Sequence, residues 1–442
     1  MEKAQIIEIL EDWNFWTKDH NAGIPREEYL QKLAKLAETE QIIVVLGVRR
    51  SGKSTIMHQY IKKLINRKVD PKNILYVNFE DVRFGEFSLE LLNQIYDVYL
   101  EYAQPANKQY VFLDEVQKIK GWEKFARTLH ELKKAQVFVS GSNSKLLRGE
   151  LSSVLTGRHL DLTVYPLEFS EFLIFKKIEV KDKLDLIAKR HKIKSLLNEY
   201  LQYGGFPLIC LKESKKELLQ TYFEDIINKD VIESRTIANV LKIKSLAGFY
   251  LTNAGRRISF HSISKFQELS LDTIERYSYY LEEAYLLNFI KKFSYSVKEQ
   301  ERTMSVVYAI DNGLRNLVSF KFSQDNGWLY QNIAANLLIK RFGKDKIFYW
   351  MSPTKEEIDF VVKPGSRVQQ LIQVCYNIAD PITKKREVTA LLKASKELKC
   401  SNLLVITENY ESEEKIDSKK IKYFPLWKWL LQYSKRHKFL DK

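Results

Sequence analysis

The sequence predicts a multidomain α/β protein, for three reasons. At 442 residues the chain is longer than a single hydrophobic core usually organises. Its first part alternates short apolar, β-branched runs with amphipathic segments, which is typical of a mostly parallel sheet with helices. Helical patterns dominate beyond it, and strand patterns return in two later places. We therefore predict four domains, covering residues 1–165, 166–238, 239–318 and 319–442.

The composition excludes several classes of protein. Hydrophobic residues make up 45% of the chain and charged residues 29%, as in ordinary globular proteins. No run reaches the roughly 18 apolar residues of a membrane span, and the first residues show no signal-peptide core. Cys210, Cys375 and Cys400 form neither a close pair nor a metal-binding spacing. We expect a cytoplasmic protein without a membrane partner.

The net charge of +15 is weighted toward the C-terminal part of the chain. A basic surface favours nucleic acid or another anion as a partner. An excess of lysine that serves only solubility is the competing interpretation.

The stretch "VVLGVRRSGKST" at residues 44–55 fits the phosphate-loop (P-loop) pattern G-x-x-x-x-G-K-[ST]. An apolar run precedes it, and "KSTIMHQYIKKLIN" follows with helical spacing, so the loop has the strand–loop–helix context that the motif requires. A chance match on an ordinary strand–helix turn is the alternative. Arg49 and Arg50 are expected to point outward, toward solvent, a neighbouring subunit or a ligand. The predicted nucleotide-binding residues are Gly47, Val48, Arg49, Arg50, Ser51, Gly52, Lys53, Ser54 and Thr55.

The residue types of this loop suit ATP and Mg²⁺. Glycines let backbone N–H groups surround a phosphate at the N-terminus of a helix. Lys53 can reach the β- and γ-phosphates, and the Ser54 hydroxyl can bind Mg²⁺.

Acidic residues end a second apolar run, "QYVFLDEVQKI". In P-loop enzymes the first acid, here Asp114, holds Mg²⁺ and the second, here Glu115, polarises the attacking water. The strand patterns "NILYVNFED" and "AQVFVSGSNS" also end in polar residues. The second of them places Ser142 and Asn143 where a γ-phosphate sensor would lie, although a helix cap would explain both. Because ligands bind at the carboxyl ends of such strands, we expect these ends to converge.

Six stretches carry a resemblance to a known family: "GVRRSGKST", "YVNFED", "FLDEVQKIKGWE", "VSGSNSKLL", "LTGRHLDLTVYPLEFSEF" and "YLQYGGFP". The chain resembles the AAA-type ATPases of bacteria and archaea that carry a C-terminal domain of unknown function. The resemblance implies a P-loop NTPase fold with a parallel sheet, and it covers nearly the whole chain. It also implies that Arg158, of the "GR" pair, acts on the γ-phosphate of its own subunit or of a neighbour in a homo-oligomer. An ordinary surface arginine is the alternative.

Residues 166–238 read as helices, interrupted at Gly204 and Gly205, and are interpreted as a helical lid. Asp230 and Arg235 match a lid segment of the family resembled. Residues 239–318 show three helices, the third capped by Ser270 or Asp272, and then two strands, which predicts a winged helix. The outward candidates on its third helix are Thr273, Glu275, Arg276 and Tyr279. Because acids outnumber bases on that helix, protein docking competes with DNA binding.

Residues 319–442 resemble the restriction-endonuclease-like α/β fold. Nucleases of that fold use an acid on one strand and an acid-x-Lys on the next to bind Mg²⁺ and activate water. Asp359 fits the first acid, but Gln373-Val374-Cys375 stands at the second position. Gln331 lies where a nuclease would often have Glu. We therefore expect a catalytically inactive nuclease fold.

The sequence thus predicts an enzyme, an ATP hydrolase that uses Mg²⁺, with Lys53, Glu115, Ser142 and Arg158 as candidate catalytic residues and Ser54 and Asp114 as metal ligands. Three hypotheses concern its use of ATP. The first is nucleotide-controlled DNA binding. The second is a signalling switch that docks a protein partner. The third, an ATP-dependent nuclease, is disfavoured by Gln373 and Cys375.

Overall fold

A computed structural model describes residues 1–142, 154–235, 237, 239–318 and 326–432 of the chain. The chain forms two compact units, Met1–Val164 and Tyr165–Lys442. Among the described residues, no helix combines the length and the apolar character that crossing a membrane requires.

The first unit alternates strands and helices, as its sequence pattern predicts. Its helices are α1 (Lys3–Trp13), α2 (Glu27–Ala37), α3 (Lys53–Asn66), α4 (Leu89–Ala103) and α5 (Trp122–Glu131). Its strands are β1 (Ile42–Leu46), β2 (Ile74–Asn78), β3 (Gln109–Asp114), β4 (Ala135–Gly141) and β5 (His159–Thr163).

The five strands form one parallel sheet in the order β2-β3-β4-β1-β5. All five residues of β1, which lies between β4 and β5, are buried, as is typical of an interior strand of a parallel sheet. Helix α3 packs Ile56, Tyr60, Ile61 and Leu64 into the same core. The predicted parallel α/β sheet of a P-loop NTPase is confirmed.

The chain that follows α1 covers the edge of the sheet at β2. The Asn14 side chain donates to the carbonyl oxygen of Tyr76 at 2.9 Å and accepts from its N–H at 2.7 Å. The Trp16 indole donates to the carbonyl oxygen of Ile74 at 2.8 Å. These side chains pair with backbone groups that an edge strand would otherwise expose.

The second unit begins with helices. They are α6 (Phe169–Phe175), α7 (Lys183–Ala188), α8 (Arg190–Tyr203), α9 (Pro207–Leu211) and α10 (Lys215–Asp225), followed by a π-helix (Ile226–Glu233). Asp311 accepts a hydrogen bond from the N–H of Gly205 at 2.7 Å and one from Gly313 at 2.8 Å. Gly204 has a φ of 75°, and a Cβ there would lie 1.7 Å from Asp311 Oδ1, so a glycine is required.

Three helices and a small antiparallel sheet follow. The elements are α11 (Val240–Thr252), β6 (Arg257–Ile258), α12 (Phe260–Gln267), α13 (Leu271–Glu283), β7 (Leu287–Ile290), α14 (Val297–Arg302), β8 (Ser305–Ala309) and α15 (Asn312–Val318). The three predicted helices and two strands are present, and β6 adds a third strand in the order β6-β8-β7. The Ser270 hydroxyl caps α13 by accepting from the N–H of Thr273. The winged-helix interpretation of these elements stays a prediction.

The last elements build a six-stranded sheet in the order β13-β14-β12-β11-β10-β9. They are α16 (Asn326–Phe342), β9 (Ile347–Met351), β10 (Glu357–Val362), β11 (Gln370–Val374), α17 (Pro381–Glu397), β12 (Leu403–Thr407), β13 (Ser412–Ile416), β14 (Lys419–Pro425) and α18 (Leu426–Gln432). The predicted strands β9 to β12 and helices α16 and α17 are present. The sequence pattern does not reveal β13, β14 or α18.

Candidate nucleotide-binding site

The loop between β1 and α3 has the backbone of a phosphate cradle. Gly47 has a φ of 137°, and a Cβ there would lie 2.1 Å from the carbonyl oxygen of Val164. Gly52 has a φ of 98° and immediately precedes α3. Arg50 also adopts a positive φ, 68°, which is uncommon for a residue with a side chain. The loop therefore turns tightly, and the N-terminus of α3 points into the space that the loop encloses.

Lys53 lies inside this loop, with only 4% of its side chain exposed. Its ammonium donates to the carbonyl oxygens of Gly47 at 3.1 Å and Val48 at 3.4 Å. The hydroxyl oxygen of Ser51 is buried in the same loop and has no hydrogen-bond partner within the described part of the chain. A buried cation beside an unsatisfied hydroxyl suits a phosphate group, so the loop residues fit a nucleotide.

Asp114, the last residue of β3, is almost completely buried. Its Oδ2 accepts from the Tyr76 hydroxyl at 2.6 Å, and its Oδ1 accepts from the Ser140 hydroxyl. Burial and then the neighbouring Glu115 charge raise the pKa of Asp114, while hydrogen bonds from Ser140, Ser54 and Tyr76 act in the opposite direction. Asp114 and Ser54 therefore lie together, as a shared Mg²⁺ site requires.

Glu115 follows Asp114 in a left-handed conformation with a φ of 53°. Its Oε1 lies 3.9 Å from the Lys53 ammonium, and its Oε2 accepts from the Gln117 amide at 2.5 Å. Burial alone would raise the pKa of Glu115, but the Lys53 charge and the Gln117 hydrogen bond outweigh it and lower that pKa. The lowered pKa means that the Glu115 carboxylate is held in its ionised form. The left-handed backbone of Glu115 is a strained conformation of the kind that is common at functional sites.

The position of Arg49 differs from the expectation that its side chain points outward. Instead of pointing outward, its side chain is only 13% exposed, and it donates to Glu80 at 3.2 Å and to the Ser142 hydroxyl at 3.4 Å. Glu80 follows β2 and Ser142 follows β4, so the expected convergence of strand ends is present. Arg50 is exposed, as expected. Asn143 lies outside the described residues.

Arg158 lies at the amino end of the parallel strands, opposite the carboxyl end where the phosphate loop lies. Its carbonyl accepts from the N–H of Ile42, which opens β1, and its guanidinium lies 3.2 Å from Glu131 at the end of α5. From Gln41 to Gly47 the strand extends about 20 Å at about 3.3 Å per residue. Of the two expected roles of Arg158, this separation opposes action on the nucleotide of its own subunit, because an arginine side chain does not span about 20 Å.

The remaining loop residues divide by exposure. Val48 is buried at 1% exposure, whereas Thr55 on the first turn of α3 is exposed. Val48 supports the loop from beneath, and Thr55 is accessible to a ligand.

Sequence reasoning missed four residues at this site: Arg26, Tyr76, Gln117 and Ser140. Arg26 is 4% exposed and donates to the carbonyl oxygen of Ser51 at 3.0 Å, so it supports the phosphate loop. The other three hold Asp114 or Glu115. Gln117 lies two residues after Glu115 and could have been suspected, but the other three contact the site only through the tertiary fold.

The candidate acid of the C-terminal sheet, Asp359, accepts its hydrogen bonds from neutral groups. Asp359 accepts from the Gln331 amide at 2.6 Å and from the N–H of Val374 at 2.7 Å. The Gln373 amide donates to Glu387 at 2.5 Å. Burial raises the pKa of Asp359 well above its usual range, and burial raises that of the Cys375 thiol to about 12. Within the described residues, no group of three or more His, Cys, Asp or Glu side chains is arranged to hold a metal ion.

The two family residues of the predicted lid lie in the second unit. Asp230 is buried in the π-helix. Arg235 forms an ion pair with Glu283 of α13, and its guanidinium lies 4.7 Å from the centre of the Tyr280 ring. Both residues contribute to the packing of that unit.

Two family models match the chain. One, described as an AAA domain, matches residues 39–173. The other, described as a domain of unknown function, matches residues 194–325. The first match includes the phosphate loop and all five strands of the parallel sheet.

Relatives match over nearly the full length. The chain is 35% identical over 408 residues to the uncharacterized protein MJ1544 of Methanocaldococcus jannaschii, covering 89% of each chain. It is 30% identical over 420 residues to an uncharacterized protein of Haemophilus influenzae, covering 93% of this chain and 99% of that one. Among solved structures, the Walker-type ATPase PABY2304 of Pyrococcus abyssi is 13% identical with a TM-score of 0.41, covering 69% of this chain and 99% of that one.

Proposed function

Because the chain belongs to the family of AAA-type ATPases that carry a C-terminal domain of unknown function, we propose that it binds ATP with Mg²⁺ at residues 47–55 and hydrolyses the γ-phosphate. The observation that carries this proposal is the placement of Lys53. Its buried ammonium faces two loop carbonyls and lies 3.9 Å from the Glu115 carboxylate.

The residues of the site divide the chemistry among them. Backbone N–H groups of the loop and the Lys53 ammonium would hold the phosphates. Ser54 and Asp114 would hold Mg²⁺, which neutralises developing charge on the phosphates when it is bound. Glu115, ionised and fixed by Gln117, would orient a water molecule and accept its proton. Ser142 and Arg49 join the ends of β4, β1 and β2, where the γ-phosphate would lie.

A titration with a fluorescent ATP analogue, with and without Mg²⁺, tests this proposal. Lys53→Ala should abolish binding or hydrolysis while the protein stays folded, because the Lys53 ammonium lies in the phosphate loop and pairs with loop carbonyls and Glu115. Lys62→Ala is the matched control, since Lys62 lies on the same helix and pairs with Asp19 at the surface. Wild-type ATP binding together with wild-type phosphate release by Lys53→Ala would contradict the proposal.

We assign Arg158 to the nucleotide of a neighbouring subunit. Its position at the amino end of the strands supports action between copies in a homo-oligomer, because the arginine can then approach a site that its own subunit keeps out of reach. An arginine supplied in this way can accelerate hydrolysis by about 10³–10⁵.

DNA is the first candidate for the partner that nucleotide state controls, and the net charge of +15 supports it. The basic segment at residues 384–386 contributes less than its sequence implies. Lys384 pairs with Glu414 at 2.6 Å and Arg386 with Glu387 at 2.6 Å. Lys385 is exposed beside them.

A protein partner is the second candidate, and exposed apolar side chains favour it. Leu241 and Phe266 are 80% and 71% exposed on α11 and α12. On α13, Glu275 is exposed, and Arg276 lies 3.6 Å from the carboxylate of Asp272. An acidic and apolar surface is unfavourable for DNA phosphates and suits a protein.

One experiment separates the two partners. Binding of DNA is titrated with and without ATP at two salt concentrations. DNA binding through phosphate contacts should weaken steeply with salt and depend little on sequence. No measurable affinity at low salt in any nucleotide state would contradict the DNA proposal and favour the protein partner.

A further inference from the structure

Both carboxylate oxygens of Asp114 are held by neutral hydroxyl groups. The Tyr76 hydroxyl donates to Oδ2 at 2.6 Å, and the Ser140 hydroxyl donates to Oδ1. A carboxylate offers about four lone-pair directions. Tyr76 and Ser140 use two of them and fix the plane of the group. Ser54, the other proposed Mg²⁺ ligand, also hydrogen-bonds this carboxylate.

Tyr76 is itself held in place. The Asn14 side chain pairs with both backbone groups of Tyr76, at 2.7 and 2.9 Å. The ring centre of His58, on α3, lies 4.3 Å from the ring centre of Tyr76. Tyr76 is 1% exposed, so its hydroxyl has little freedom to leave Asp114.

We propose that Tyr76 is a positioning residue for the divalent-cation site, because it orients the Asp114 carboxylate through their hydrogen bond. The inference rests on the proposed function, in which Asp114 and Ser54 hold Mg²⁺. Outer residues that orient a ligand in this way commonly change metal affinity by about 10–100-fold when they are replaced. The hydroxyl, and not only the ring, is then the functional part of Tyr76.

A purely structural role makes a different prediction. If Tyr76 only filled the core between β2 and α3, removal of its hydroxyl would change stability without changing the affinity for a cation. Tyr76→Phe separates the two roles, because it keeps the ring and removes the donor.

The test measures Mn²⁺ binding by electron paramagnetic resonance in protein saturated with ADP, and ADP binding separately in EDTA. Tyr76→Phe should weaken Mn²⁺ binding by about 10–100-fold and leave ADP affinity in EDTA unchanged. Tyr99→Phe is the matched control, since the buried Tyr99 hydroxyl donates to the carbonyl oxygen of Lys72 at 2.9 Å and does not contact Asp114. It should leave both affinities unchanged.

Unchanged Mn²⁺ affinity in Tyr76→Phe, with normal ADP binding, would overturn the inference. An absence of ADP binding by the wild-type protein both in EDTA and with Mn²⁺ would contradict the proposed function itself, and the inference with it. If Tyr76→Phe does not fold, Ser140→Ala removes a second hydroxyl donor to Asp114 and tests the same orienting effect. Unchanged Mn²⁺ affinity there would show that neutral donors to Asp114 do not govern the cation site, and would overturn the inference.

Discussion

The Lys53 ammonium and the Glu115 carboxylate lie 3.9 Å apart, and both side chains are more than nine-tenths buried. The two residues come from different elements, the start of α3 and the end of β3. Their pairing keeps opposite charges together at the carboxyl end of the strands, where the phosphate loop lies. The Lys53 charge keeps Glu115 ionised, so that the carboxylate has no proton to donate and is able to accept one.

Glu115→Gln should retain ATP binding and lose turnover by about 10²–10⁴-fold, because the amide cannot accept a proton from water. Steady-state phosphate release and nucleotide affinity measured on the same preparation check both halves of the prediction. Glu101→Gln is the control, since Glu101 is an exposed acid on α4 that pairs with Lys3. Turnover at the wild-type rate in Glu115→Gln would assign water activation to another residue.

Arg158→Ala should lower turnover far more than nucleotide affinity, by about 10³-fold or more if the arginine acts on the γ-phosphate. Arg127→Ala is a closely matched control. Arg127 pairs with the same Glu131 at 2.8 Å and is 42% exposed, against 36% for Arg158.

Mixing Arg158→Ala with Glu115→Gln protein then tests action between subunits. In a mixed oligomer the Glu115→Gln subunit supplies an intact Arg158 to a neighbour with an intact Glu115, so activity should return. Wild-type turnover in Arg158→Ala alone would identify Arg158 as an ordinary surface residue.

The phosphate loop and the helix after it can be predicted because their signals are local. The glycine spacing, the apolar run of β1 and the helical spacing of α3 all lie within about 25 residues. The placement of Arg158 cannot be predicted in the same way. It depends on β5 pairing with β1 in parallel, so that His159 aligns with Ile42. That pairing follows from the order of the strands in the folded sheet, and a local sequence pattern does not reveal this order.

Other misses have the same long-range origin. The hydrogen bond from Tyr76 to Asp114 joins residues 38 positions apart on neighbouring strands. The β13–β14 hairpin was missed for a local reason. It turns at Asp417 and Ser418, which adopt positive φ values of 47° and 64°. Such turns usually carry Asn-Gly or Asp-Gly, and a serine in the second position gives no recognisable signal.

Asp311 predicts a pH dependence of stability. Burial raises its pKa from an ordinary 3.8 to about 6, although it accepts hydrogen bonds from the N–H groups of Gly205 and Gly313. A carboxyl group with a raised pKa in the folded state stabilises that state while it is protonated. Its contribution is full below about pH 4 and is lost as pH rises through about 6, a change of about 3 kcal/mol.

Asp311→Asn removes this titration. The free energy of unfolding of wild type relative to Asp311→Asn should therefore fall between pH 4.5 and pH 7.5, as measured by urea denaturation. Asp345→Asn, which replaces an exposed acid of the same unit, is the control. The free energy of unfolding of wild type relative to Asp345→Asn should not fall over the same pH range. A constant difference between wild type and Asp311→Asn across this range would exclude a raised pKa for Asp311.

The C-terminal sheet is predicted not to cleave DNA. Metal-dependent hydrolysis needs carboxylates that hold Mg²⁺ and a cation near the attacking water. Here Asp359 already accepts hydrogen bonds from Gln331 and Val374, and its raised pKa reduces the negative charge available to a hard cation. Glu387, an alternative acid, is engaged by the Gln373 amide and by Arg386.

We therefore expect no cleavage of duplex or single-stranded DNA with Mg²⁺ or Mn²⁺ in any nucleotide state. Asp359→Asn should leave ATP turnover unchanged, because Asp359 belongs to a different compact unit from the phosphate loop. A change in melting temperature alone would reflect its buried hydrogen bonds and would not bear on catalysis. Metal-dependent cleavage by purified protein that disappears in Asp359→Asn would contradict the prediction. It would show that an acid or lysine elsewhere, such as Glu387 or Lys384 on α17, supplies the group that Gln373 and Cys375 lack.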